Sequence, residues 1–132
     1  MPYIIRETTN PLQIKEQEFA SAKEIKFTPF TSCIGVIAKK GAKLTAVHLV
    51  MVADDGSYFN RNAATTVLDN LPEEPDVVTI IGCIDLWVSP ANGMSAAFEQ
   101  LTGKLKTLKK EQLEDGTYGA KIKGDDIEIT RG

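Results

Sequence analysis

Residues 32–50 read "SCIGVIAKKGAKLTAVHLV". Two runs rich in aliphatic and β-branched residues, Cys33–Ala38 and Leu44–Ala53, flank the polar break "KKGAK", the pattern of a β-hairpin. Gly41 supplies the left-handed backbone that a tight turn needs. The second run is apolar at consecutive positions, so the pair belongs inside a layered domain and not at a wet edge. The stretch also holds one of the chain's two cysteines and its only histidine. If Lys40 and Gly41 form the loop, Lys39 opposes Ala42 and Cys33 directly opposes His48, with Cβ atoms about 5 Å apart on one face. A loop spanning Lys39–Ala42 keeps that register, whereas a loop of odd length sends the two side chains to opposite faces. The same register sets Gly35 opposite Ala46, small residues that leave a slot beside the thiol and the imidazole.

Working outward, Tyr3–Arg6 reads as a short strand. In "NPLQIKEQEFASAKEIKF", Asn10 and Pro11 occupy the places of an N-cap and a first helical residue, while Leu12, Ile14 and Phe19 fit helical spacing only loosely. "ADDGSYFNRN" is a loop, after which Asn62 caps a short helix that reaches Leu71 and stops at Pro72. Val77–Ile84 is a buried strand. "SPANG" opens a helix in which Met94, Ala97, Phe98, Leu101, Leu105 and Leu108 recur on one face. Lys104, Lys106, Lys109 and Lys110 form its solvated end. "YGAKIKGDDIEITRG" is a hairpin turning at Gly124. These elements make one α+β domain over residues 1–132: a layered, mostly antiparallel β-sheet sandwich flanked by two or three helices.

Composition narrows the chemistry. A net charge of −3 with no basic stripe argues against nucleic acid as a partner. No apolar run reaches the roughly 18 residues of a membrane span. The first residues lack the apolar segment of a secretory signal, so a cytoplasmic setting is expected, or delivery by a route without such a signal. Cys33 and Cys83 sit in apolar surroundings that suit reduced thiols. One histidine and two distant cysteines make no zinc-ligand set, so no metal or other cofactor is expected. The oligomeric state is not legible in the sequence.

A thiol beside an imidazole is a nucleophile beside its base. The imidazole accepts the thiol proton, the thiolate attacks an amide or acyl carbon, and the imidazolium protonates the departing amine. Neutral again, the ring activates water against the thioester. The backbone N–H of Cys33 is the first candidate donor to the tetrahedral oxyanion, with Ser32 and Gly35 beside it. The group that orients the ring is expected just before the cysteine: Thr28, by side chain or carbonyl, or the Phe27 carbonyl. Asp54, Asp55, Asn60 and Asn62 follow the histidine strand where a substrate mouth would open, though "DDGS" is equally a routine turn. Asp85 is a further possible partner for His48. Cys83, without a second histidine, reads as core, as does Trp87, while Tyr58 is a candidate contact aromatic.

"FTSCIGVIAKKGAKLTAVHLVMV" resembles the core of the CheD-type and cytotoxic-necrotizing-factor-type deamidases, in which a strand opening on a small residue and cysteine is followed by a strand carrying histidine. "VVTIIGCIDL" and the Met94–Leu108 helix keep the same order, so the resemblance covers the middle two-thirds of the chain. It implies a glutamine deamidase acting on a partner protein, with Cys33 as nucleophile, His48 as base and acid, and Thr28 or a nearby carbonyl as third member. It also implies either a stand-alone enzyme or a delivered effector. The chain departs from the family pattern in two places. Phe27 stands where CheD commonly has threonine, and Thr31–Ser32 replace the glycine beside the cysteine.

Two other functions are compatible with these residues. The same pair serves peptide hydrolysis or acyl transfer by shared steps. A non-catalytic binding module would instead keep the fold and use an edge such as Glu73, Glu74 and Asp76, a cluster that otherwise reads as a solvated loop.

Overall fold

In the computed structural model, which describes residues 3–132, the hairpin is the centre of the molecule. Its strands are Ile34–Lys40 and Lys43–Leu49, and the loop is Gly41–Ala42, one residue later than the sequence suggests. Gly41 has φ +60°, and glycine at the first loop position is what a type II′ turn demands. Asp76 fixes this choice, accepting the Gly41 N–H at 2.8 Å and pairing with the buried Lys39 amine at 3.2 Å. Lys40 reaches the carbonyls of Glu73 and Glu74. The acidic cluster thus clamps the hairpin tip.

In chain order the elements are β1 (Arg6–Glu7), β2 (Glu18–Ala22), β3 (Glu24–Lys26), β4 (Ile34–Lys40), β5 (Lys43–Leu49), α1 (Arg61–Asn70), β6 (Val77–Gly82), α2 (Ile84–Val88), α3 (Ser95–Gly103), β7 (Leu108–Gln112), β8 (Tyr118–Lys123) and β9 (Asp126–Arg131), with a 3-10 turn at Pro90–Asn92 before α3. Two sheets form, in the orders β1-β2-β5-β4-β6-β7 and β3-β8-β9. Pairing is antiparallel except for β1 with β2 and β6 with β7. The fold is the layered α+β arrangement expected.

Strands β4, β5 and β6 are buried on both faces, which their unbroken apolar runs require. One face, carrying Gly35, Ile37, Ala46 and His48, packs against the small sheet through Phe27 and Phe30. Alternation turns Val36, Val47 and Ile80 to the other face, toward the helices. There Trp87 of α2 stacks between Phe59 and Phe98.

Several local expectations are corrected. Residues 12–19 form no helix: a pair of turns leads into β2, which is partly buried along its length with only Ala20 fully covered. The cap of α1 is Asn60, not Asn62, its Oδ1 accepting the Ala63 N–H at 2.9 Å. The last helix ends at Gly103, and Leu108, Lys109 and Lys110 instead start β7, parallel to β6. The first strand is shorter and later than Tyr3–Arg6, because Tyr3 leaves the ladder to bury its ring.

Candidate active site

The later turn moves the register. Gly35, not Ala46's partner, opposes His48, and Ala46 opposes Ile37. Cys33 is therefore not directly across from His48. Parity is kept, however, so Cys33, one residue before the ladder begins, falls on the His48 side, and Glu16 lies near both groups. Where Cys33 would meet Val50, the Tyr3 hydroxyl intervenes, donating to the Val50 carbonyl at 2.7 Å and accepting its N–H at 2.9 Å.

The expected slot at Gly35 is filled. A Cβ on Gly35 would lie 2.7 Å from the Phe27 ring and 3.0 Å from Phe30. Both rings pack on the imidazole, with centroids 5.5 and 4.9 Å from it. Glycine is required here to seat the aromatic cradle of His48.

The ring is oriented from an unexpected place. Nδ1 lies 2.9 Å from the Ile14 carbonyl, which can only accept, so Nδ1 carries the proton. Thr28 Oγ1 stands 3.4 Å from Nδ1 and donates to the same carbonyl, while the Thr28 N–H also bonds it at 3.0 Å. Phe27 contributes its ring and not its carbonyl. Burial holds the imidazole's pKa below its usual value, against weaker opposing effects of the Ile14 carbonyl, Glu16 and Glu18. His48 is thus neutral, and its Nε2 lone pair is buried without a hydrogen-bond partner. Asp85 lies elsewhere: its backbone N–H bonds Gln112 in the first turn of α2.

Cys33, fully buried, turns its thiol to the Thr31 carbonyl at 3.3 Å and to Glu16 Oε2 at 3.7 Å. Burial first, and then the Glu16 and Asp115 carboxylates, push this thiol up to about 12, against the Thr31 contact. The resting pair is a thiol and a neutral imidazole, not the thiolate–imidazolium pair of the sequence argument.

Glu16 sits in a tight turn closed by Glu18 N–H to the Lys15 carbonyl, and by the Lys15 N–H to Glu18 Oε1. Gln17 takes a positive φ of 65° and gives its N–H to the His48 carbonyl at 2.7 Å. Its side-chain amide reaches the Ile4 carbonyl. Above this turn opens a cleft of about 360 Å³ lined by Lys15, Glu16, Gln17, Thr28, Val50, Val52 and Asp54. Two smaller hollows, each of about 130 Å³, adjoin it and share Gln17 and Asp54. The groups that touch the thiol and the imidazole, Glu16 and Thr28, therefore line an open cleft, with Asp54 on its rim.

Ser32 and Asn60 do not join this site. Ser32, at φ 58°, gives its N–H to Asp115 Oδ1 at 2.9 Å, and its carbonyl accepts the Trp87 indole N–H. The Ser32 N–H is therefore committed to Asp115 and not free for an oxyanion. Asn60 is the helix cap and lines a separate hollow with exposed Tyr58. Cys83 bonds Asp115 Oδ1 and the Leu113 carbonyl and ties its backbone to the Cys33 carbonyl, a structural role. Sequence reasoning missed Ile14, Glu16 and Tyr3. A carbonyl has no residue signature, and the turn that carries Glu16 lies in a segment whose spacing suggested helix.

Among the described residues no cluster of histidine, cysteine and carboxylates could hold a metal ion, and no helix is long and apolar enough to cross a membrane. No protein-family model matches the chain, and no curated protein matches it either.

Proposed function

We propose that the chain is a protein-glutamine deamidase of the CheD and cytotoxic-necrotizing-factor type, working through a thioester on Cys33. One observation carries the reading: a neutral histidine, anchored by Nδ1, that keeps an unpartnered Nε2 on the same sheet face as a free thiol. An apolar core has no use for an orphaned ring nitrogen, which costs stability where it lies.

The steps follow from those atoms. Nε2 takes the thiol proton as Sγ attacks the side-chain carbonyl carbon of a glutamine presented in the cleft. The imidazolium protonates the amide nitrogen, which leaves as ammonia, and the acyl group remains on sulfur. Nε2 then takes a proton from water as it attacks the thioester, releasing glutamate and restoring the thiol. One water is consumed and one ammonia released per turnover. The Ile14 carbonyl and Thr28 hold the ring through both transfers.

The test is conversion of glutamine to glutamate in a mixture of candidate proteins, read by peptide mass spectrometry. Wild type is expected to convert a restricted set of sites that Cys33→Ser and His48→Ala leave untouched. A second reading rests on the sealed, strongly protonated thiol: a binding module of the same fold. Conversion by neither wild type nor variant, with retained capture of a partner by Cys33→Ser, favours it.

A further inference from the structure

We propose that Glu16 is the specificity residue of this site: its carboxylate accepts the N–H of the substrate carboxamide, and its charge expels the carboxylate product. This rests on the deamidase reading above. The position is suited to the task. Oε2 lies 3.7 Å from Sγ. A carboxamide carbon at an attack distance of about 3–3.5 Å from sulfur would carry its nitrogen within a hydrogen-bond length of about 2.9 Å from that oxygen. The backbone of the turn that carries Glu16 is fixed by the Lys15–Glu18 closure and by Gln17 on the His48 carbonyl and the Ile4 carbonyl, so its side chain springs from a set position beside the thiol. It is also exposed to the cleft from which a glutamine must enter.

In the resting site the thiol itself is the donor facing Glu16. A substrate amide replaces it there, and the freed S–H turns to the vacant Nε2 of His48. An ester or a carboxylate has no donor to make that exchange, so recognition of the amide N–H and activation of the thiol are coupled. The glutamate product has no N–H and repels the same carboxylate, so it leaves.

Three alkylating reagents that differ only at the recognised group separate the possibilities: iodoacetamide, methyl iodoacetate and iodoacetate. Each rate at Cys33, in a Cys83→Ser background, is divided by the rate with N-acetylcysteine at the same pH, and ratios between reagents cancel the thiolate population. Wild type is expected to favour iodoacetamide over methyl iodoacetate by about tenfold beyond the free thiol, the scale of a hydrogen bond to a charged group. Glu16→Ala returns that ratio to the free-thiol value, and Glu16→Gln relieves the discrimination against iodoacetate. Asp54→Asn, on the same rim, shifts the iodoacetate rate alone. If wild type treats amide and ester as the free thiol does, while His48→Ala still slows alkylation, Glu16 is not the specificity residue and the deamidase reading stands. If Cys33 resists all three reagents in wild type and in both Glu16 variants, both proposals fall.

Discussion

His48 is held at one nitrogen by the Ile14 carbonyl and left bare at the other, and the aromatic cradle around the ring depends on a glycine. Gly35 lies opposite the imidazole, and the Phe27 and Phe30 rings fill the volume where its side chain would stand. Gly35→Ala places a methyl against two packed rings, and overpacking of this kind costs about 1–3 kcal/mol. Urea unfolding is expected to show that loss, and the His48 ring resonances should shift as the aromatic cradle moves. An unchanged midpoint would mean that the rings yield freely and that the cradle does not hold the imidazole. The sequence made part of this site legible. Cys33 and His48 share a face because any even loop between them preserves parity, whichever residues turn. Their direct opposition was not legible, since a shift of the loop by one residue moves each partner by two. Nor was the Ile14 carbonyl, because main-chain acceptors are placed by tertiary pairing and not by residue type.

At the scale of elements, strong alternation and unbroken apolar runs were reliable guides. The β8–β9 hairpin lies where the pattern puts it, with Gly124 at the turn, and β6 starts at Val77 as expected but ends at Gly82, so that Ile84 opens α2 and does not extend the strand. Weak patterns failed at the sheet's margins. Strand β2 is partly buried and sits toward the edge, so its residues carry no clear period. Strand β7 is built from "LKKEQ", mostly exposed, and pairs in parallel with β6 in spite of a composition that suits a helix end. The start of α1 shows how a polar residue in a loop is misread as a site residue. Asn60 satisfies one of the helix's first free N–H groups, and Asn60→Ala should lower stability by about 1 kcal/mol. Alkylation of Cys33 should be unaffected, and a change in that rate would return Asn60 to the substrate mouth.

At the scale of the molecule, Cys33 and His48 lie buried on the main sheet's side toward the small sheet, and folding is therefore linked to pH from both sides. The unfolded chain protonates His48 near the ordinary imidazole value of 6.5, whereas the folded chain binds that proton less readily because burial disfavours the charged ring. The stabilisation from a neutral, buried His48 is thus present above about 6.5 and is lost as pH falls below it. This is the chain's only histidine, while Asp76, Asp115, Asp126 and Glu128 are all held below the usual carboxylate range and titrate further down. Cys33 has the opposite sign. Its folded thiol binds a proton more tightly than the unfolded one, so its contribution is complete below the ordinary thiol value of 9.0 and declines as pH rises toward about 12. The buried Tyr3 phenol, also pushed up chiefly by burial, adds to the same alkaline decline. Urea midpoints measured across pH should therefore form a plateau between about 6.5 and 9. His48→Gln should remove the fall that sets in below pH 6.5 and leave the loss from carboxylates further down. Cys33→Ala in the Cys83→Ser background should flatten the first part of the alkaline fall and leave the later loss from Tyr3. A fall below pH 6.5 that is the same in wild type and in His48→Gln would mean that His48 charges as easily folded as unfolded. A ring that charges so easily cannot be the dry, lone-pair base on which the proposed proton transfers depend.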